Sequence, residues 1–185
     1  MIIQQTLNME RLLNNPRDIQ IYFKYKNKEI PYFAKGWEDL YLKSNNVDKA
    51  VYTIKSMTDK NNKIRKRISN NSNINHILIP FEDFVLNPSN YLKIILEKIG
   101  TTYSKNTKKI LVDNKVPRKK ISDSIALDIY KRCGWKPPKK NTSEQDEIEI
   151  RRDFLRKQNS SQSAIKIMNN LSKNYENLFM KDILK

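Results

Sequence analysis

Residues 77–100, ILIPFEDFVLNPSNYLKIILEKIG, decide how the chain is read. Ile77, Leu78, Ile79 and Phe81 make a short apolar run of the kind a buried strand shows, and Glu82 and Asp83 close it with two carboxylates. Asn87 stands where a helix N-cap belongs, and Pro88 fits the first helical position, where a missing N–H leaves no bond unmade. Tyr91, Leu92, Ile95, Leu96 and Ile99 then recur at helical spacing, and Gly100 suits the left-handed position that closes a helix. The stretch predicts a strand, an acidic turn and a capped amphipathic helix. Adjacent residues at a strand edge point to opposite faces, so Glu82 and Asp83 make a poor acid–base pair; one of them is expected to cap or pair structurally.

Upstream, Val47, Ala50, Val51, Ile54, Met57, Ile64 and Ile68 lie on one helical stripe. Asp48 sits near its start and Lys63, Arg65, Lys66 and Arg67 near its end, the order the helix dipole favours, which reads more simply as a solvated end than as an anion site. Before it, Pro31 to Trp37 is an aromatic link expected to pack on the core with Trp37 as a plug, followed by a short helix from Glu38 to Lys43. Asn15-Pro16 is a turn signal opening an amphipathic segment with Ile19, Ile21, Tyr22 and Phe23, read here as a helix. Downstream, Ser143 caps a helix from Glu144 to Lys157, and a last helix from about Ser161 to Phe179 carries Ala164, Ile165, Met168, Leu171, Tyr175, Leu178 and Phe179 on one face, a terminal brace.

The chain has 185 residues, 38% of them apolar, enough for one domain with a core, and a formal net charge of +16 that points to an anionic partner. Its single cysteine, Cys133, excludes an intrachain disulfide and suits a reducing compartment. The single histidine, His76, excludes motifs that need two, so no metal site is expected, and His76 reads as structural. No apolar run approaches the roughly 20 residues of a membrane helix and no basic-then-apolar leader opens the chain, so a soluble, cytoplasmic protein without a membrane span is expected. Gly36, Gly100 and Gly134 are the only glycines and lie far apart, which rules out a glycine-rich phosphate cradle.

Residues 105 to 140 hold twelve Lys or Arg against three Asp. Within them, 116–123 and 129–138 show loop punctuation without helical period, and the region is read as a basic loop. Arg118 could clamp a phosphate or sulfate bidentately, with Lys119 beside it as a point charge; a solvated basic loop accounts for the same residues.

Three stretches resemble sulfotransferases, in the family's order and across roughly residues 15 to 180. FEDFVLNPSNYLKIILEKIG resembles the family's late strand-to-helix segment, with an aromatic, Glu-Asp, an apolar pair, Pro, and a helix ending in a Leu-Gly-like step. Asn15-Pro16-Arg17-Asp18-Ile19 resembles the Arg-x-Pro-Arg-Asp segment whose first Arg and later Ser hold the 3′-phosphate of the sulfuryl donor, 3′-phosphoadenylyl sulfate. Asn14 and Tyr22 occupy those two positions here, leaving Arg17 and Lys24 as substitutes. Pro117-Arg118-Lys119-Lys120 with Tyr130-Lys131-Arg132-Cys133-Gly134-Trp135 resembles the basic loop that closes over the donor phosphate, with Lys120 where the family has Gly.

The resemblance implies an α/β fold, predominantly helical: an incomplete sulfotransferase-like (P-loop NTPase-like) fold lacking the N-terminal glycine-rich phosphate loop. It implies one domain over residues 1–185, N-terminally truncated, with a basic loop region at 105–140 and C-terminal helices at 143–180. The family's activity is sulfuryl transfer from 3′-phosphoadenylyl sulfate to a hydroxyl or amine acceptor. Donor contacts would fall to Arg17, Arg118, Lys119 and Lys120; no catalytic base is assigned, and the chain is expected to be inactive alone. The alternative is a noncatalytic basic module that binds nucleic acid or an acidic polymer through phosphate-driven contacts.

Overall fold

Tyr22, Phe23 and Tyr25 are residues that favour an extended, half-buried backbone, and Lys26-Asn27 follows them with φ of 47° and 61°. Two consecutive positive φ values make the type I′ turn whose twist matches an antiparallel hairpin. In the computed structural model, which describes residues 21–71, 74, 76–121 and 142–180, strand β1 (Tyr22–Tyr25) accordingly pairs antiparallel with β2 (Lys28–Pro31), placing Phe23 opposite Ile30 and Tyr25 opposite Lys28. The helix expected through Ile21, Tyr22 and Phe23 is thus a strand. The turn at Lys26-Asn27 and the aromatic β-formers outweigh the helical spacing, while residues 15–20 lie outside the described part.

A 3₁₀ turn (Tyr32–Ala34) and helix α1 (Glu38–Lys43) follow, and then α2 (Asn46–Ser69), α3 (Phe81–Leu86), α4 (Pro88–Ile99), α5 (Lys105–Asp113), α6 (Glu144–Arg156) and α7 (Gln162–Phe179). The described chain is predominantly helical with one two-stranded sheet. It divides into two compact units, residues 1–62 with 149–171 and residues 63–148 with 172–185.

In the first unit Ile30 and Ala34 are 0% and Tyr41 5% exposed, with Phe23, Tyr25, Phe33, Trp37 and Leu42 packed round them. Trp37 is the plug its sequence position suggested: its ring meets Tyr41 edge-on at 5.5 Å and its Nε1–H donates to the Phe33 carbonyl at 3.2 Å. Val47, Ala50 and Val51 of the predicted stripe are buried. The start of α2 is tied to the start of α7. Asn45 Oδ1 accepts from the Asp48 N–H at 2.8 Å, Asp48 Oδ1 accepts from the Ser161 N–H at 3.0 Å, and the Tyr52 hydroxyl lies 2.8 Å from Ser163 Oγ.

The second unit departs most from the sequence reading. Ile77–Pro80 forms no ladder, and Phe81, Glu82 and Asp83 belong to α3 instead of ending a strand. A strand needs a hydrogen-bonded neighbour, and none lies beside this segment among the described residues; Pro80, which suits a helix N-terminus, lets Phe81 start a helical turn. Asn87 holds the N-cap position of α4, but its side chain does not cap: its Nδ2 donates to Asp83 Oδ1 at 3.0 Å. The end of α4 matches expectation in full. Gly100 has φ 67°, its N–H donates to the Glu97 carbonyl, and the Thr101 N–H donates back to Leu96, a Schellman closure. No atom lies within 4 Å of a Cβ built on Gly100. Gly100→Ala therefore costs only the left-handed backbone strain, about 1 to 2 kcal/mol, measured as a lower thermal midpoint with unchanged helix content.

Lys105–Asp113, the opening of what reads as a basic loop, is helix α5, started by Ser104, whose Oγ accepts from the Thr107 N–H at 3.2 Å. Ser143 likewise caps α6, accepting from the Asp146 N–H at 3.0 Å. Of the predicted helical stripes, Met57, Ile64, Ile99, Tyr175 and Leu178 are exposed.

Candidate functional site

Helix α5 ends at Asn114, whose Nδ2 donates back to the Ile110 carbonyl at 2.8 Å. Lys115 takes φ 52°, and the Val116 N–H donates to Leu111, so the chain reverses within three residues and Val116 is buried. The Val116–Pro117 bond is cis. This reversal delivers Arg118 to α3.

The last carbonyls of a helix have no partner within it. Val85, near the end of α3, is satisfied from outside: the Arg118 N–H donates to its carbonyl at 2.7 Å. The guanidinium of Arg118 lies over the Phe81 ring at 5.5 Å, and its Nη1 donates to the Ile121 carbonyl at 3.0 Å. Its Nε is buried with no hydrogen-bond partner among the described residues. Arg118 is therefore half-buried and committed to fixing the loop, whereas Lys119 and Lys120 are exposed. An arginine stacked on an aromatic and bonded to a carbonyl is preorganised, and it anchors the turn from which Lys119 and Lys120 extend.

The two carboxylates of α3 are turned to tyrosines. Glu82 accepts from the Tyr175 hydroxyl and Asp83 from the Tyr91 hydroxyl, each at 2.5 Å, and the Phe84 and Tyr91 rings meet edge-on at 6.2 Å. Both acids thus pair structurally, which extends the sequence expectation from one to two. The Asp83 hydrogen bond, with smaller help from burial, pushes the Tyr91 phenol up to about 12. Burial first, then the Glu82 bond, raises Tyr175. Folding favours the protonated phenol in each case, so both contributions are complete below the ordinary tyrosine value of 10.0; that of Tyr91 is lost as pH rises from there through about 12, and that of Tyr175 is likewise lost above the ordinary value. Alkaline unfolding followed by circular dichroism is expected to begin near pH 10, and Asp83→Asn should return the Tyr91 phenol toward its ordinary value in a spectrophotometric titration.

Of the predicted donor contacts, Arg118, Lys119 and Lys120 stand together on one anchored turn, and Arg17 lies outside the described residues. Lys24 is exposed on β1 in the other unit. The sequence reading cast Arg118 as the clamp; its side chain is spent on Phe81 and Ile121, which makes it a positioning residue. Phe81 and the Val85 carbonyl, the two partners that do the anchoring, were missed. A helix of six residues ending in unsatisfied carbonyls was the available signal, hidden by the reading of Phe81 as a strand residue.

Gly36 and Gly100 offer no second anion seat. The Gly36 N–H already donates to Glu38 Oε1 at 2.9 Å, and Gly100 closes α4. Among the described residues no group of three or more His, Cys, Asp or Glu is placed to hold a metal, and no helix is long and apolar enough to cross a membrane. No family model, no curated protein and no solved structure matches the chain.

Proposed function

We propose that the chain is a sulfotransferase-like protein that binds the terminal phosphate of an adenosine 3′,5′-bisphosphate unit through Lys119 and Lys120, and that it does not carry out sulfuryl transfer alone. The observation that carries this reading is the Arg118 anchor. Two of the stretches that resemble the family, FEDFVLNP and PRKK, meet through the Arg118–Val85 and Arg118–Phe81 contacts. The described residues fit one end of the donor only. Two exposed ammonium groups on an anchored turn suit a phosphate. The phosphosulfate end needs a cradle of main-chain N–H groups, and the N–H groups of Gly36 and Gly100 are already engaged. No transfer step follows from these residues.

Calorimetric titration of the whole chain with adenosine 3′,5′-bisphosphate tests the reading. Saturable binding is expected, weakened at least about tenfold in a Lys119→Ala/Lys120→Ala chain, since each charged hydrogen bond contributes about 1.5 to 3 kcal/mol. No binding, or binding indifferent to both lysines, overturns it.

A second reading rests on a different observation. Lys63, Arg65, Lys66 and Arg67 of α2 are exposed, and none forms an ion pair with a carboxylate among the described residues. Such a helix suits a noncatalytic module for nucleic acid or an acidic polymer. Binding of a random oligonucleotide would then fall steeply with salt and with charge reversal on α2, with no preference for the bisphosphate.

A further inference from the structure

Helix α2 is buried only at its start. Val47, Ala50 and Val51 are covered, whereas every residue from Asp59 to Arg67 is exposed. At about 3.6 residues per turn, Met57 and Ile64 stand two turns apart on one face of the helix, 55% and 51% exposed. Lys60 and Arg67 border this pair on one side and Arg65 on the other. None of the three forms an ion pair with a carboxylate among the described residues. The one acid of this half of the helix is turned away: Asp59 pairs with Lys55 on the far face, which Lys66 shares. One face therefore combines bare apolar side chains with unneutralised cations, and the other holds the ion pair.

We propose that the second half of α2 lies on the surface of an anionic lipid bilayer, with Met57 and Ile64 sunk among the headgroups and Lys60, Arg65 and Arg67 spread over the lipid phosphates. Amphipathic helices bind such surfaces by adding shallow apolar burial to attraction for anionic lipid, and Lys and Arg stems let the charge stay at headgroup level. A groove in another protein asks for apolar anchors at the third and fourth positions after the first. After Met57 those positions hold Lys60 and Asn61. A nucleic-acid backbone would engage the cations but gain nothing from the apolar pair in their midst, which separates this inference from the polyanion reading of the same helix. A second copy would set like charges against each other. The inference does not depend on the loop at Lys119.

The whole chain is centrifuged with vesicles of equimolar phosphatidylcholine and phosphatidylserine, and with vesicles of phosphatidylcholine alone. Partition is expected to be at least about tenfold stronger on the anionic vesicles, since each cation near such a surface contributes about fivefold. Met57→Gln/Ile64→Gln alters two exposed sites with a residue that suits a helix, so circular dichroism and binding of a random oligonucleotide should be unchanged. Partition should nevertheless weaken at least about tenfold, through the lost apolar burial. Lys60→Gln/Arg67→Gln should weaken it by a similar factor. Lys55→Gln/Lys66→Gln removes the same number of cations from the far face, about 10 Å from the membrane and beyond a Debye length of about 8 Å, and should change partition less than about threefold. Any of four results overturns the proposal: no preference for anionic vesicles, partition indifferent to Met57→Gln/Ile64→Gln, equal losses from the two cation pairs, or a parallel loss of oligonucleotide binding in Met57→Gln/Ile64→Gln. The last would assign this face to nucleic acid.

Discussion

Ile30→Ala is expected to lower the stability of the hairpin unit by about 2 to 5 kcal/mol. Ile30 is fully buried, and so is Ala34 next to it, while Tyr41 is 5% exposed. Phe33 and Trp37 meet Tyr41 edge-on, at 6.0 and 5.5 Å between ring centroids. Rigid rings held in this way cannot move into the space that the lost sec-butyl side chain leaves, so the substitution adds a cavity to the lost transfer free energy. In a chain carrying Trp135→Phe, the fluorescence of Trp37 reports this unit alone. The urea midpoint should drop with little change in slope. Ile64, which shares the predicted apolar stripe of α2 but is 51% exposed, supplies the contrast. Ile64→Ala should stay within about 0.5 kcal/mol, and an equal loss at both positions would show that the packing described here is wrong.

Asp48→Ala has the second largest expected effect. The Asp48 side chain is buried, and its Oδ1 takes the Ser161 N–H at the entry to α7, 113 positions along the chain. Alanine leaves that N–H without an acceptor and removes a negative charge from the first turn of α2. The first effect costs about 1 to 3 kcal/mol, and the second roughly 0.3 to 1 kcal/mol. Asp48→Asn keeps an acceptor oxygen and should recover the larger share in thermal melts. Asp59, paired with Lys55 in solvent, should be nearly silent when changed to alanine, as exposed ion pairs generally are. An asparagine as damaging as the alanine would assign the effect to charge and remove the hydrogen bond from the account.

The helices were legible wherever periodicity and a terminus signal agreed. Glu38–Lys43 is recovered to the residue, the long stripe from Val47 to Ile68 lies within Asn46–Ser69, and Gly100 and Ser143 end and begin their helices as their side chains dictate. The hairpin was not legible because its turn, Lys26-Asn27, lacks the glycine that usually marks a type I′ turn, and both residues must take left-handed φ at some cost. The run from Ile77 to Phe81 misled for a different reason. Apolar sequence specifies burial, but a strand also needs a neighbour, and sequence does not say whether one is at hand. Helix α5 was masked by charge: Lys105, Lys108 and Lys109 drew attention to the basic region while Ser104 supplied an ordinary cap.

The candidate site was legible in its residues and not in their roles. Pro117-Arg118-Lys119-Lys120 stood out as a cation cluster, and its sequence suited an anion clamp and a solvated basic loop equally. The split between an arginine that anchors and lysines that present depends on the Val85 carbonyl and the Phe81 ring, more than thirty residues upstream. That separation places the loop and is invisible to local spacing.

The most direct test of this split is a spectrum of the whole chain with isotope-labelled lysine, recorded as adenosine 3′,5′-bisphosphate is added. Saturable shifts at Lys119 and Lys120 that vanish in Arg118→Ala, whose helix content is otherwise unchanged, are the expected result. Shifts confined to Lys63 and Lys66, or shifts at Lys119 and Lys120 that survive Arg118→Ala, would contradict it.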